Sequence, residues 1–294
     1  MKHAYLIMAH NNFYNLRKLI EALDDESNDI YIHINKRVHD FNQEEWTFIA
    51  QKSQVIFVER IKVEYCEYSQ LLAVLMLLST ATREYHDYYH LMSGSDLPIK
   101  SNEIINDFFC TNRGKEFIGF AKYYNTENIC QKNYLVKYHR YTNKYIAFAA
   151  NKMRRFLIQV QKIFGYNIAT RYTGTIKKGC DWYSVTHAAA EYLILQEPQF
   201  RRLFEKSFCP TEFFAQTLLY NSDFRQNIYC LDNENTGSQR YIDWERGTPY
   251  VFKKEDQERI EKSPMMFARK FSDIEDRKII DAICDFVKHK NDVI

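Results

Sequence analysis

Apolar runs of strand length alternate with helix-periodic segments through the first hundred residues, and that alternation restricts the chain to few architectures. Residues 4–9 are continuously apolar. Asn11 or Asn12 can then cap a helix whose Leu16, Leu19, Ile20 and Leu23 fall at i, i+3, i+4 and i+7. Ile30, Ile32 and Ile34 alternate with Tyr31 and His33, residues 55–58 form a short buried run, and residues 88–92 read as another strand. The apolar stretch 71–78 is longer than most parallel strands and follows Ser69, a plausible cap, so it reads as a buried helix. Residues 93–98, Ser-Gly-Ser-Asp-Leu-Pro, are turn formers. This order predicts an α/β fold with a mostly parallel central sheet flanked by helices. Ligands of such sheets bind beyond the carboxyl ends of the strands, which places His10, Asn11, His33, Asn35 and residues 93–96 at a candidate site.

No repeat or Gly/Pro-rich linker interrupts the 294 residues, so a single domain over residues 1–294 is expected. Forty Lys and Arg balance 38 Asp and Glu, and a formal charge of +2 excludes nucleic-acid binding through bulk charge. The charges are nonetheless segregated. Between Glu127 and Asp181 there is no acidic residue, while eleven Lys and Arg run from Lys132 to Lys178. Inside this basic segment, residues 132–178, Ile146, Ala150, Met153, Leu157, Val160 and Phe164 recur at helical spacing, with Lys144, Lys152, Arg155 and Lys162 on other faces. Two readings stay open: a surface helix whose apolar side packs on the core, or a contact with anionic lipid or an anionic acceptor. The 22 Tyr and 21 Phe supply flat area suited to sugars or membrane interfaces. Seven cysteines, an odd number, stand singly with no C-x-x-C, which predicts neither a zinc site nor a full disulfide framework and fits a reducing, cytoplasmic compartment. The first residues lack a signal-peptide core, and the longest apolar run is too short to span a bilayer.

Signatures of nucleotide kinases, Rossmann dehydrogenases, α/β hydrolases and zincins are missing. So is the Asp-x-Asp pair that commonly holds a divalent cation against a diphosphate. A diphosphate bound here would need side-chain cations in place of a metal. Arg246 and Lys270, each beside aromatics, are candidates, with solvated surface charges as the alternative. In Cys-Pro-Thr-Glu212-Phe-Phe, a carboxylate stands at a helix start between bulky apolar neighbours. Desolvation would raise its pKa and the helix dipole would lower it, so it reads either as a general base or as a helix-stabilising acid.

Six ordered segments resemble one known family. They are His-Ala-Tyr-Leu-Ile-Met-Ala-His10, Ile-Tyr-Ile-His33-Ile-Asn35-Lys, Tyr-His-Leu-Met-Ser-Gly-Ser-Asp96-Leu-Pro-Ile-Lys100, Gly179-Cys-Asp-Trp182-Tyr-Ser-Val-Thr, the Glu212 segment, and Phe-Ala-Arg-Lys270-Phe. Together, across roughly residues 3–271, they resemble the core-2/I-branching β-1,6-N-acetylglucosaminyltransferases and the related peptide xylosyltransferases. The resemblance implies a GT-A-like fold working without a metal cofactor, and inverting transfer from a UDP-sugar, with N-acetylglucosamine the expected sugar. It assigns Glu212 as the base, Arg246 and Lys270 as neutralisers of the departing diphosphate, and a nucleotide site near His10 and Asn35. The Arg246 match requires a one-residue gap. Trp182 and Tyr183 are candidate sugar platforms, and Asp96 is either a loop anchor or a sugar-hydroxyl contact.

Two departures matter. The family usually has Asp where this chain has Asn35, and its vertebrate members carry paired cysteines and a membrane anchor not seen here. The chain is therefore expected to be a bacterial, cytoplasmic relative, peripheral on the inner face of the membrane. It would act on a glycan or lipid-linked oligosaccharide acceptor, with the basic segment facing the membrane. A non-catalytic glycan-binding or membrane-surface protein of the same fold, and a transferase using UDP-xylose or a UDP-hexose, are the alternatives.

Overall fold

The computed structural model describes residues 1–122 and 130–289. The expected alternation forms as β1 (His3–Ala9), α1 (Phe13–Leu23), β2 (Asn28–Ile34), β3 (Gln54–Phe57), α2 (Tyr68–Ala81) and β4 (Tyr88–Ser93). These strands and β6 (Ser184–Thr186) make a five-stranded sheet of order β3-β2-β1-β4-β6, parallel except for the antiparallel edge strand β6. The mostly parallel sheet expected from sequence is thus present. Residues 96–98 depart from the turn reading. They form β5 (Asp96–Pro98), which joins β7 (Arg240–Ile242) and β8 (Phe267–Arg269) in a small second sheet of order β5-β8-β7.

Both faces of the main sheet are buried, as parallel strands require. On β1, Ala4 and Leu6 point into one core with α2, α5 (His187–Phe204) and α6 (Thr211–Tyr220). Tyr5, Ile7 and Ala9 point into the other, with α1, α3 (Asn102–Thr111) and the C-terminal helix Arg277–His289. This is the period-two alternation of a strand covered on both sides.

Caps differ in detail from expectation. Asn12 does sit at the N-cap of α1, but its backbone is left-handed and its side chain accepts no hydrogen bond from the helix; its amide nitrogen donates to Ser95 Oγ at 2.7 Å. Ser69 lies inside the first turn of α2, where its hydroxyl accepts from the Glu64 amide at 2.9 Å. One pair of cysteines does join, although no full framework forms among the described residues. Cys66, just before α2, is disulfide-bonded to Cys209, just before α6, across a sequence separation of 143. Spacing along the chain could not reveal a pair that the fold alone brings together, and the pair removes cysteine usage as an argument for a reducing compartment.

The basic segment contains α4 (Lys144–Ile163), a helix of 20 residues capped by Asn143, whose side chain accepts from the Tyr145 and Ile146 amides. None of its residues is buried. No helix among the described residues is long and apolar enough to cross a membrane.

Candidate functional site

A cleft of about 800 Å³ opens where β1, β2 and β4 end. Its floor is Met8–Asn11, Asn35 and Ser93–Ser95, most of the strand-end positions that the topology singles out; His33 and Asp96 are buried instead, His33 accepting from the Ile61 amide at 3.2 Å. One wall comes from the β3–α2 connection (Val63–Cys66) and from Cys209, Thr211 and Glu212 at the start of α6, joined by the disulfide. Cys180–Trp182 form a second wall, and Trp244, Thr248, Pro249, Arg269 and Lys270 a third.

Of the residues expected at the site, His10, Asn35, Trp182, Glu212 and Lys270 line this cleft. Asn35 is committed to structure. Its amide nitrogen donates to the Val63 carbonyl at 2.9 Å and its Oδ1 accepts from the Val63 and Arg37 amides, so it fastens the wall to the floor. An aspartate there could not donate to Val63, which gives the asparagine a physical reason. Asp96 takes the loop-anchor role. It is buried, accepts from the Ser93 amide and hydroxyl at 2.9 and 2.8 Å, and lies 3.6 Å from Arg269 Nη1.

Asp96 therefore does not line the cleft, and two further candidates are not brought to it either. Tyr183 is buried in the core that α2, α5 and α6 share with the sheet, while its neighbour Trp182, packed at the edge of the same core, reaches the cleft. Arg246 is engaged elsewhere: its guanidinium pairs with Asp243 at 2.6 Å and Asp256 at 2.7 Å and lies 4.0 Å over the Tyr250 ring. Sequence cannot tell a spent arginine from a free one. Arg269 occupies the cleft wall instead, 4.5 Å over the Trp182 ring, with its Nη1 buried and making no hydrogen bond. Burial and the adjacent Arg269 charge hold the Lys270 ammonium below its ordinary pKa, against the opposing pull of Asp96. Burial, then the nearby Lys270 charge, lowers His10 as well, which favours the neutral imidazole.

Glu212, in the first turn of α6, forms a 3.0 Å ion pair with Lys178. Its neighbour Asp181 was not singled out by sequence. One Asp181 oxygen is sealed from solvent without a hydrogen-bond partner, while the other accepts from Gln70 at 3.2 Å. Burial, then the Glu212 charge, pushes Asp181 up to about 6, against Thr211, Arg269 and Lys178.

The placement of this group is set by backbone. Along α6, the Glu212 carbonyl accepts from the Gly179 amide at 2.9 Å, Gln216 donates to the Cys180 carbonyl at 2.7 Å, and Thr217 bonds both backbone groups of Lys177. Gly179 passes so close to Gly119 that a Cβ there would fall 1.9 Å from the Gly119 carbonyl oxygen. Only glycine allows the crossing. Among the described residues, no group of three or more His, Cys, Asp or Glu is arranged to hold a metal ion.

Chemically, the cleft offers two partly desolvated cations, a carboxylate pair with an attendant lysine, and exposed aromatic faces at Trp244 and Tyr65. Comparison with known proteins gives this set a context. The dog (Canis lupus familiaris) protein Xylosyltransferase 2 is 22% identical over 304 residues, covering 96% of this chain and 33% of that protein. Xylosyltransferase sqv-6 of Caenorhabditis briggsae is 25% identical, covering 92% and 35%. The chain thus spans about a third of the length of these curated relatives. Among solved structures, apo mouse Xyloside xylosyltransferase 1 aligns with a TM-score of 0.36 and 10% identity, covering 91% of this chain and 96% of that one. The Core-2/I-Branching enzyme family model matches residues 3–276, nearly the whole sequence, and the chain belongs to that family.

Proposed function

We propose that the protein is an inverting glycosyltransferase that moves a sugar from a UDP-sugar to a hydroxyl of a glycan or lipid-linked oligosaccharide, without a divalent metal. The observation that carries this reading is the convergence, in one cleft at the strand ends, of the Glu212–Asp181 carboxylates with Lys270 and Arg269. The acceptor oxygen attacks the anomeric carbon from the face opposite UDP, its proton passes to Glu212, and the bond to the diphosphate breaks with its electron pair leaving on UDP. Negative charge then grows on the diphosphate, where fixed cations stabilise the transition state more than the ground state. Lys270 and Arg269 supply that charge in this reading, with Arg269 taking the part that the sequence resemblance gave to Arg246. A carboxylate accepting the acceptor proton typically contributes ~10²–10⁴-fold.

N-acetylglucosamine is the donor sugar that the motif resemblance favours. Xylose is a second reading, favoured by the names of the curated relatives. UDP release by purified protein, measured in EDTA across UDP-sugars, tests the proposal. Release that persists in chelator and falls by at least ~10²-fold in Glu212→Gln supports it. Activity abolished by chelator would refute metal independence, and no release from any donor with any glycan acceptor would leave a binding protein of the same fold.

A further inference from the structure

Helix α4 departs from the usual arrangement of a surface helix, in which large apolar residues face the core and polar ones face water. Its inner side carries half-buried Leu157, Ile158 and Val160 but is held as well through polar and small groups. Gln161 bonds both backbone groups of Asn133, at 2.9 and 3.0 Å, Arg154 lies over the rings of Tyr134 and Tyr138, and Ala147 and Ala150 are half-buried. The outer side carries Tyr145, Phe148, Phe156 and Ile163, all exposed, with Phe164 at 81% exposure just beyond the last turn. Their spacing of three, eight and seven residues keeps the four helical residues on one side. The stripe read from sequence is therefore only half used for packing, since Ile146, Met153 and Phe164 also remain exposed.

Exposed Lys144, Lys152, Arg155 and Lys162 stand among and beside these rings, and none forms an ion pair with a carboxylate among the described residues. Lys152 Nζ lies 4.7 Å over the Phe148 ring and Lys144 Nζ 5.2 Å over Tyr145, so the aliphatic stems follow the apolar band while the ammonium groups reach its edge.

We infer that α4 lies flat in the headgroup region of an anionic membrane, with its aromatic stripe toward the acyl chains and its cations toward lipid phosphates. A second copy of the chain fits this face poorly, because a two-fold pairing would set the unpaired cations against their own copies, with no acid anywhere from residue 128 to 180 to offset them. An anionic lipid surface satisfies the charges and the rings together. The docked helix would also be tethered to the cleft, since Arg140, just before α4, is paired with Glu67, the neighbour of Cys66 in the cleft wall.

Flotation of the full chain with phosphatidylcholine vesicles containing one quarter phosphatidylglycerol tests the inference, independently of the reaction. The parent should float, and Glu212→Gln should float equally. Lys152→Glu/Arg155→Glu and Phe148→Ser/Phe156→Ser should each weaken binding by at least about tenfold while leaving UDP release with a soluble acceptor unchanged. Loss should also follow a rise in salt. No flotation, equal flotation with pure phosphatidylcholine, or a dimer in sedimentation velocity that Phe148→Ser/Phe156→Ser dissolves would each overturn it.

Discussion

Replacing Lys178 by Met should move the acid side of the pH–activity profile upward while leaving the high-pH plateau nearly intact. Lys178 Nζ stands 3.0 Å from Glu212, and the two side chains are 27% and 31% exposed. Two unit charges at that separation interact by about 5.5 kcal/mol at an effective dielectric of ~20 and about 1.4 kcal/mol at ~80. Partial exposure puts the effective value near the lower end, about 2 kcal/mol. At ~1.4 kcal/mol per pH unit, losing an interaction of that size moves the acid limb of the activity profile upward by about 1.5 pH units. The direction follows from sign: a cation favours an ionised carboxylate, so its loss favours the protonated form, which cannot take a proton from an acceptor in the proposed reaction. Asp181 is already raised to about 6, by burial and then by Glu212, with Lys178 among the groups opposing the rise. The assay is kcat/KM from UDP release at saturating acceptor across pH 4.5–9, with activity well below the parental midpoint falling about thirtyfold and activity at the plateau changing less than about threefold. An unmoved acid limb would show that the carboxylate pair is not the proton acceptor. A uniform loss at every pH would show that Lys178 serves the donor instead.

Lys270→Ala and Arg269→Gln should each weaken UDP binding, measured by calorimetry, by about tenfold or more, as expected for losing one charge-assisted contact to a phosphate. Arg246→Ala should leave the UDP affinity unchanged but lower the unfolding free energy from denaturant titration by about 1–3 kcal/mol, because buried Asp243 loses its 2.6 Å partner; tighter dependence of UDP on Arg246 than on Arg269 would reverse the assignment. Glu116 is buried, accepts from the Thr186 amide and hydroxyl, and is raised from 4.5 to about 7, chiefly by burial. Its native state holds the proton more tightly than the unfolded chain, so stability falls as pH rises from 4.5 to 7, by on the order of 3 kcal/mol. Glu116→Gln should therefore melt higher than the parent at pH 8 and show little gain at pH 4.5, and an equal difference at both pH values would contradict that account.

The first half of the fold is readable because its strands and helices are long enough to show their periods. Val55 to the end of β3, the isoleucines of β2 and the leucines of α1 each mark an element by spacing alone. β5, β7 and β8 have three residues each, too few for alternation to register, and Asp96–Pro98 reads as a turn because its residues are turn formers whose strand pairing comes from Phe267–Arg269, far along the chain. The same limit governs the site. His10, Asn35, Glu212 and Lys270 stand at strand ends or in ordered motifs, whereas Asp181 matters only because α6 brings Glu212 beside it. Arg246 and Arg269 are equivalent on paper, and only the positions of Asp243 and Asp256 decide which is occupied. For α4 the helical period is plain, but the side turned inward is chosen by Gln161 and Arg154, whose partners at Asn133, Tyr134 and Tyr138 no periodicity announces.

The crossing of Gly179 over Gly119 has an engineering consequence. Lys178 and Asp181 flank it in sequence, and Glu212 holds it by its own carbonyl, so one extra methyl at this point would displace an acid, its acidic neighbour and their counter-ion in a single movement. Side chains around the cleft can be exchanged to alter which sugar fits, but the threading of these two main chains has no slack, and variants selected for new donors will have to leave it as it is.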